Sequence, residues 1–384
     1  MPKDSAGKKL IRKDGPILVL NSGSSSLKFG VYRPSATDEE PSLTGSAEGI
    51  GRDNGSFRIR SSNGTPLVQS DGLHESQSDA LSTLAAAISE HADDTPVAVG
   101  HRIVHGGPKL CQHQLITPQV LDHLRAAIHF APLHIPQALK LIAAAQSIFP
   151  SAAQYACFDD AFHQTIPEIA SHLPIPQHYF DAGIRRYGFH GISYESLVHY
   201  FGAKLPARSI FAHLGNGSSL CALRNGKSVD TTMGLTPTGG IPMATRSGDL
   251  DPGAIIYLLR TEKLDADMLE DLLNYRCGLF ALSSGEGDVK VLTERADRND
   301  AKACLALDVF AVSVRKTIGA YMALLGGTDL LVFTGGIGEH SERIRSAATK
   351  GLEHLGLTPD KIQVVPTEEE QQIARHVRAM MTKE

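Results

Sequence analysis

The stretch Ile17 to Tyr32, ILVLNSGSSSLKFGVY, opens with four aliphatic residues and breaks into a Ser-rich turn holding Asn21 and Gly23. It then resumes with Leu27, Phe29 and Val31 at alternate positions. A run of that kind reads as strand, tight turn, strand. Backbone N–H groups and Ser hydroxyls crowded into the turn, with Lys28 at its exit, suit an anion, and phosphate is the usual one. An ordinary Ser-rich hairpin fits these few residues equally well. The pattern returns half a chain later in Ser209 to Asn225, SIFAHLGNGSSLCALRN, again an apolar run, a Gly/Asn/Ser turn and an alternating return. Two such hairpins predict a duplicated core, with the two phosphate-like turns facing one another across a cleft.

At 384 residues the chain is long enough for two hydrophobic cores. The formal net charge of -5, from 37 basic and 42 acidic residues, argues against nucleic acid as the main partner. Five Cys are scattered without metal-like spacing, which fits a reduced, cytoplasmic compartment. No apolar run is long enough to span a membrane, and the start of the chain lacks a signal-peptide pattern. Residues 1–16 read as a flexible leader.

Along the chain, Ser76 to His91 carries a helical period in Leu81, Leu84 and Ile88. A short strand at Val97 to Val99 delivers His101, Arg102 and His105, a basic group where an α/β protein keeps ligand contacts. Two prolines fix the connection around His134. Tyr155 to Phe158 ends in Asp159 and Asp160, carboxylates that suit either a magnesium ion or a helix cap. Ser193 reads as the cap of the helix that follows RRYGFHG. Thr231 to Gly253 is a long loop containing Arg246, Asp249 and Asp251, and Gly285 to Leu292 reads as polar, then extended. Leu330 to Thr334 opens into Gly335-Gly336-Ile337-Gly338-Glu339 and a helix, a geometry that can seat a nucleotide against the helix start. The acids of Thr367-Glu368-Glu369-Glu370 fall in the first turn of a last helix.

Two Ser/Gly hairpins, a Gly-rich strand-to-helix turn, two loop arginines and carboxylates at strand ends make a kit for phosphoryl transfer. That chemistry needs cations beside the migrating group, a metal on the donor and in-line placement of the acceptor. No Gly-rich run ends in Gly-Lys-Ser/Thr and no protein-kinase catalytic loop is present.

At NSGSSSLKF (21–29), HRIVHGG (101–107), APLH (131–134), FDDAFHQTIP (158–167), RRYGFHG (185–191), HLGNGSS (213–219), TRSGDLDPG (245–253) and FTGGIGE (333–339), the chain resembles the acetate kinase family, which includes propionate kinases. The resemblance runs from Ile17 to the last helix. It implies an α/β fold of duplicated ribonuclease H-like domains, in the superfold of actin, sugar kinases and heat-shock ATPases. The expected division is an N-terminal domain of 17–160 with a returning helix at 373–384, and a C-terminal nucleotide-side and dimerisation domain of 161–372. It also implies a homodimer and reversible transfer of the ATP γ-phosphoryl group to acetate, giving acetyl phosphate and ADP, with Mg2+ or Mn2+ as cofactor.

By matching motif positions, Arg102 and Arg246 resemble the arginines that hold the carboxylate and stabilise the transferring group. His190 resembles the histidine that contacts that group, with His134 in support and Asp159 as the acid near the metal. Asn21, Asp159 and Glu369 are the implied metal residues, with a one-residue ambiguity within Glu368 to Glu370. Val104, Leu133, Phe189 and Pro237 would form the small apolar pocket for the acyl methyl group, with Arg102 also a substrate-binding residue. Lys28, His213, Asn216, Gly217, Asp288, Lys290, Gly336, Ile337, Gly338 and Glu339 resemble the ATP side. An acceptor carboxylate is already ionised near neutrality, so no general base is assigned. The chain departs from the usual family wording at Ile135, Thr238-Gly239, Lys290 and His340. Most of these changes lie toward the nucleotide, which leaves open a different phosphoryl donor, and a superfold ATPase acting on a protein partner is the alternative of another class. Val104 inclines the pocket to acetate over propionate.

Overall fold

The computed structural model describes residues 13–23, 25–35, 38–72, 74–91 and 95–383. The chain divides into two compact units, one of 1–161 with 368–384 and one of 162–367. Residues 368–372 thus group with the first unit, not with the second as the expected division has it. Of the leader expected over 1–16, residues 1–12 lie outside the described residues. Residues 13–16 are tied down, because Arg378 donates to the carbonyls of Lys13 and Gly15 and Val97 N–H donates to that of Pro16.

In the first unit the described strands are β1 (Ile17–Ser22), β2 (Ser26–Pro34), β3 (Glu39–Glu48), β4 (Ser56–Ser61), β5 (Pro66–Asp71), β6 (Ala98–Ile103), β7 (Gln114–Leu115) and β8 (Ala153–Phe158). They form one sheet in the order β5-β4-β3-β2-β1-β6-β8-β7. Strand β1 pairs antiparallel with β2 and parallel with β6, and its aliphatic run is buried on both faces, as a strand inside the sheet requires. In the second unit the described strands are β9 (Arg208–Leu214), β10 (Ser218–Arg224), β11 (Lys227–Thr231), β12 (Leu330–Thr334) and β13 (Ile362–Val364), in the order β11-β10-β9-β12-β13. The order β3-β2-β1-β6-β8 is therefore repeated as β11-β10-β9-β12-β13, with the same antiparallel meander and the same two parallel additions. Each unit carries the ribonuclease H-like sheet that the duplicated hairpins predict.

The helix Glu369–Lys383 packs on β1 and β6 through Ile373 and Val377. Gly100 makes room for it, since a Cβ there would stand 2.7 Å from Ile373. Arg375 pairs with Asp38, and Arg378 with the buried Glu39 of β3. These pairs and the apolar face together hold the start of that helix, and with it Glu369 and Glu370, against the open end of β1. In the second unit Ala301–Leu325 is the central helix. Phe310, Val314 and Ile318 bury against Ile210, Leu220, Leu331 and Phe333 of the sheet.

Residues Val289–Asp297 form a helix where an extended run is expected. The Asp288 carboxylate accepts from Lys290 and Val291 N–H and starts it, and Val289, Leu292 and Ala296 then share the buried face. A cap and a helical period together outweigh the β preference of two valines.

Candidate active site

In the first unit the site is built at the ends of β1, β6 and β8. Asn21 and Arg102 lie at the ends of neighbouring strands, and Asp159 follows β8. Arg102 Nε and Nη2 both donate to Asp159 Oδ2, at 3.1 and 2.5 Å, and Nη1 donates to the carbonyl of Ser22. Asn21 Nδ2 donates to Glu369 Oε2 at 2.9 Å and to Glu370 Oε1 at 2.7 Å. Both glutamates thus converge on Asn21, whereas Glu368 is exposed and lies 3.6 Å from Arg375.

The electrostatics of this group are strained. Burial pushes the Asp159 carboxyl above its ordinary range; Arg102 opposes the shift, and Glu369 and Asp160 add to it. Burial and then Glu369 push Glu370 up likewise, with Lys28 and Asn21 pulling back. Arg102 loses solvation by burial, yet Asp159, Glu369 and Glu370 hold it more firmly charged than an ordinary arginine. Asp159 is 1% exposed and its Oδ1 has no hydrogen-bond partner among the described residues. An orphaned carboxylate oxygen and a crowded pair of carboxylates are what a hard divalent cation relieves, so Asn21, Asp159 and Glu369 with Glu370 fit magnesium. Asp160 does not cap a helix. Its Oδ2 accepts from Gly106 N–H and faces the buried His105 at 3.0 Å.

In the second unit the β9–β10 turn is the centre. His190 stacks on His213 with ring centroids 4.2 Å apart. A Cβ on Gly217 would stand 3.3 Å from His190 Nε2 and 3.5 Å from Arg246 Nη1, so one small space faces both groups, and glycine keeps it open. The loop that carries Arg246 is fixed by backbone bonds. Met243 N–H donates to the Arg246 carbonyl, Ala244 N–H to that of Asn216 and Asp249 N–H to that of Gly240, while Arg246 Nη1 donates to the Pro237 carbonyl. Gly248, at φ +69°, has a Cβ position only 2.6 Å from the Gly240 carbonyl oxygen, so no other residue fits that crossing.

Ser193 is not the cap expected of it. The helix Gly191–Phe201 starts from His190 in a left-handed conformation, and the Ser193 hydroxyl bonds His213 Nδ1 at 2.8 Å. The remaining expected residues fall as follows. Val104, Leu133 and His134 belong to the first unit, and Phe189 and Pro237 to the second. Lys28 is exposed on β2 and bears on Glu370. Asp288 caps its helix, Lys290 is exposed, and Glu339 accepts from Gly335 N–H across the Gly-rich turn formed with Gly336, Ile337 and Gly338. Thr238, a departure from the family wording, donates to Asn274 Oδ1 at 2.7 Å. Sequence reasoning missed Ser219 and Tyr194, both fully buried beside His190. A Ser pair at the start of a buried strand was the available signal, since a buried hydroxyl must find a partner.

Two ribonuclease H-like units, one with an arginine among carboxylates and one with an arginine beside stacked imidazoles, define a phosphotransferase of the actin, sugar kinase and heat-shock ATPase superfold. Residues 16–381 match the model of the Acetokinase family, and the chain belongs to that family. It is 37% identical over 404 residues to the acetate kinase of Sulfurovum sp. (strain NBC37-1), covering 96% of this chain and 99% of that one. It is 38% identical over 398 residues to the acetate kinase of Clostridium botulinum (strain 657 / Type Ba4), covering 96% and 100%. Among solved structures, a propionate kinase from Francisella tularensis subsp. tularensis SCHU S4 matches with a TM-score of 0.86 at 35% identity, covering 94% of this chain and 98% of that one. The acetate kinase of Porphyromonas gingivalis matches with a TM-score of 0.83 at 32% identity, covering 96% and 100%.

Proposed function

We propose that the protein is an acetate kinase: it transfers the γ-phosphoryl group of ATP to acetate, reversibly, giving acetyl phosphate and ADP. The likeness of nearly the whole chain to proteins named acetate kinase carries this reading. An acetate oxygen attacks the γ-phosphorus as the bond to the ADP oxygen breaks, and no proton has to move. Arg102 holds the carboxylate and Arg246 the migrating group, each as a planar fork that stays charged at any working pH. The first unit is read as the acceptor and metal side, and the second as the nucleotide and dimerisation side. Magnesium, or manganese in its place, would be held by Asn21, Asp159 and Glu369 with Glu370, and bound there it supplies positive charge to the phosphate oxygens. His134, Val104, Leu133, Phe189 and Pro237 keep the acceptor roles given them above; Lys28, His213, Asn216, Gly217, Asp288, Lys290 and Gly336 to Glu339 keep the nucleotide roles.

A second copy of the chain is the partner. The helix Pro252–Thr261 buries none of its residues within one chain, and Ile256, Tyr257 and Leu259 on it, with Leu250, Met268 and Tyr275 nearby in sequence, are exposed. None of the five cysteines is in a disulfide and, among the described residues, no helix is long and apolar enough to cross a membrane; a cytoplasmic location is part of the same reading.

Propionate is the second reading, favoured by the likeness to the Francisella propionate kinase. One methylene in an apolar pocket discriminates by only about 1–3 kcal/mol. The test is kcat/KM for acetate and propionate, each with ATP, GTP and pyrophosphate. Acetate with ATP is expected to lead. A lead for propionate, or for a donor other than ATP, overturns the corresponding half of the reading.

A further inference from the structure

Beside the stacked pair His190 and His213, the same arrangement occurs twice. Tyr194 Oη lies 2.5 Å from Ser219 Oγ, and Ser219 Oγ lies 2.9 Å from His190 Nδ1. Thr367 Oγ1 donates to Ser193 Oγ at 2.9 Å, and Ser193 Oγ lies 2.8 Å from His213 Nδ1. Each imidazole thus ends a chain of two hydroxyls, and each chain meets it at Nδ1. The chains are interlaced. Ser193 and Tyr194 come from the first turn of the helix Gly191–Phe201, while Ser219 and His213 are register partners on β10 and β9.

The direction of the protons follows from acidity. A phenol is a better donor than an aliphatic hydroxyl, and a bare imidazole nitrogen is a better acceptor than a hydroxyl oxygen. Tyr194 therefore donates to Ser219, which donates to His190 Nδ1; Thr367 donates to Ser193, which donates to His213 Nδ1. Both rings are then left with their proton on Nε2. Those two nitrogens border the Gly215–Gly217 turn: a Cβ on Gly217 would stand 3.3 Å from His190 Nε2, and one on Gly215 would stand 3.9 Å from His213 Nε2. Arg246 Nη1 faces the same space as His190 Nε2.

We propose that Tyr194–Ser219 and Thr367–Ser193 are positioning relays that lock His190 and His213 as Nε2–H donors, aimed together at the phosphoryl oxygens beside Arg246. The inference rests on the reading of that turn as the phosphoryl site. A neutral imidazole can face an anion with either an N–H or a lone pair, and the second arrangement is repulsive. A relay that excludes it removes a wasted population of the enzyme without touching substrate, and the stack makes the two rings depend on each other's orientation.

The test is 15N NMR of the full-length protein labelled at its imidazole nitrogens, with His190 and His213 assigned from the spectra of His190→Gln and His213→Gln. In the parent, both rings are expected to show a protonated Nε2 and a bare, hydrogen-bonded Nδ1. Tyr194→Phe and Thr367→Val each remove one oxygen and keep most of the packing. Each is expected to mix the tautomers of its own ring and to lower kcat several-fold, with KM for the nucleotide within about twofold. Ser219→Ala is expected to lower kcat tenfold or more, and Ser219→Thr to recover part of it. Nitrogen shifts unchanged in Tyr194→Phe and Thr367→Val, or Nδ1–H tautomers in the parent, overturn the relays whatever the activity. If instead the shifts move as expected but His190→Gln keeps full kcat, the relays stand and the placing of the phosphoryl group at this turn fails.

Discussion

The hairpins β1–β2 and β9–β10 occupy the same place in two sheets of the same order, yet they hold opposite kinds of chemistry. One pair back from the end of each hairpin, the first has Asn21 opposite Lys28 and the second has His213 opposite Ser219. Around Asn21 gather Arg102, Asp159, Glu369 and Glu370, a partly buried group in which like charges crowd and one carboxylate oxygen is orphaned. Around His213 gather hydroxyls and a second imidazole, hydrogen-bonded to one another, with Arg246 as the cation facing the same space as that imidazole. The frame is duplicated and the electrostatics are not. One repeated scaffold thus carries a carboxylate-rich group that suits a metal in one unit and uncharged hydrogen-bonding groups beside an arginine in the other.

Removing each arginine separates the two regions most strongly. Arg102→Ala and Arg246→Ala are each expected to lower kcat/KM by at least a hundredfold, about 3 kcal/mol of transition-state stabilisation. Arg102→Ala also leaves Asp159 buried without its cation, so its unfolding free energy is expected to fall by about 3 kcal/mol or more, whereas Arg246→Ala is expected to unfold near the parent. Denaturant titration of the two variants checks the contrast, and equal losses would erase it.

The first region also carries a pH signature. His101, on β6 next to Arg102, is held by burial at a pKa of about 4 against an ordinary 6.5, with its Nε2 2.7 Å from Gln154 Oε1. The folded protein keeps this ring neutral where the unfolded chain protonates it. Its contribution is therefore complete above about pH 6.5, is lost as the pH falls toward about 4, and is flat below that, a span of about 3 kcal/mol. Unfolding free energies measured across that window should slope less in His101→Asn than in the parent. An unchanged slope would assign the acid sensitivity elsewhere.

Gly217→Ala probes the second region by volume alone. Its Cβ would press on His190 Nε2 and Arg246 Nη1, so kcat is expected to fall about tenfold with the fold intact. The smallest effect belongs to Glu370→Gln. It relieves the repulsion with Glu369 and is expected to raise stability by up to about 1 kcal/mol while weakening the dependence of activity on magnesium. Thermal unfolding and a magnesium titration of the rate, read together, check it; a destabilised variant with parental magnesium dependence would contradict it.

What could be read from the chain beforehand follows from where the determinants lie. The hairpins are local, so alternation in Leu27, Phe29 and Val31 and again in β10 exposes both, and the duplicated sheet follows from them. The strand around Val97 to Val99 extends through Ile103, so Arg102 belongs to the sheet's edge of chemistry and not to a loop after it. Long-range partners were hidden. Ser193 has a helix start beside it in sequence and so reads as a cap, but Thr367 and His213, from distant segments, take its hydroxyl. Glu370 looks like one acid among three until the returning helix turns it, with Glu369, toward Asn21 and sends Glu368 to Arg375.

Phosphoryl transfer to acetate is tested most directly by the product of one reaction. Purified protein incubated with acetate, ATP and magnesium in the presence of hydroxylamine should accumulate acetyl hydroxamate in step with ADP, and Arg102→Ala and Arg246→Ala should both fail to do so. Release of ADP at the same rate without acetate, with no hydroxamate formed, would contradict it and identify an ATPase in its place.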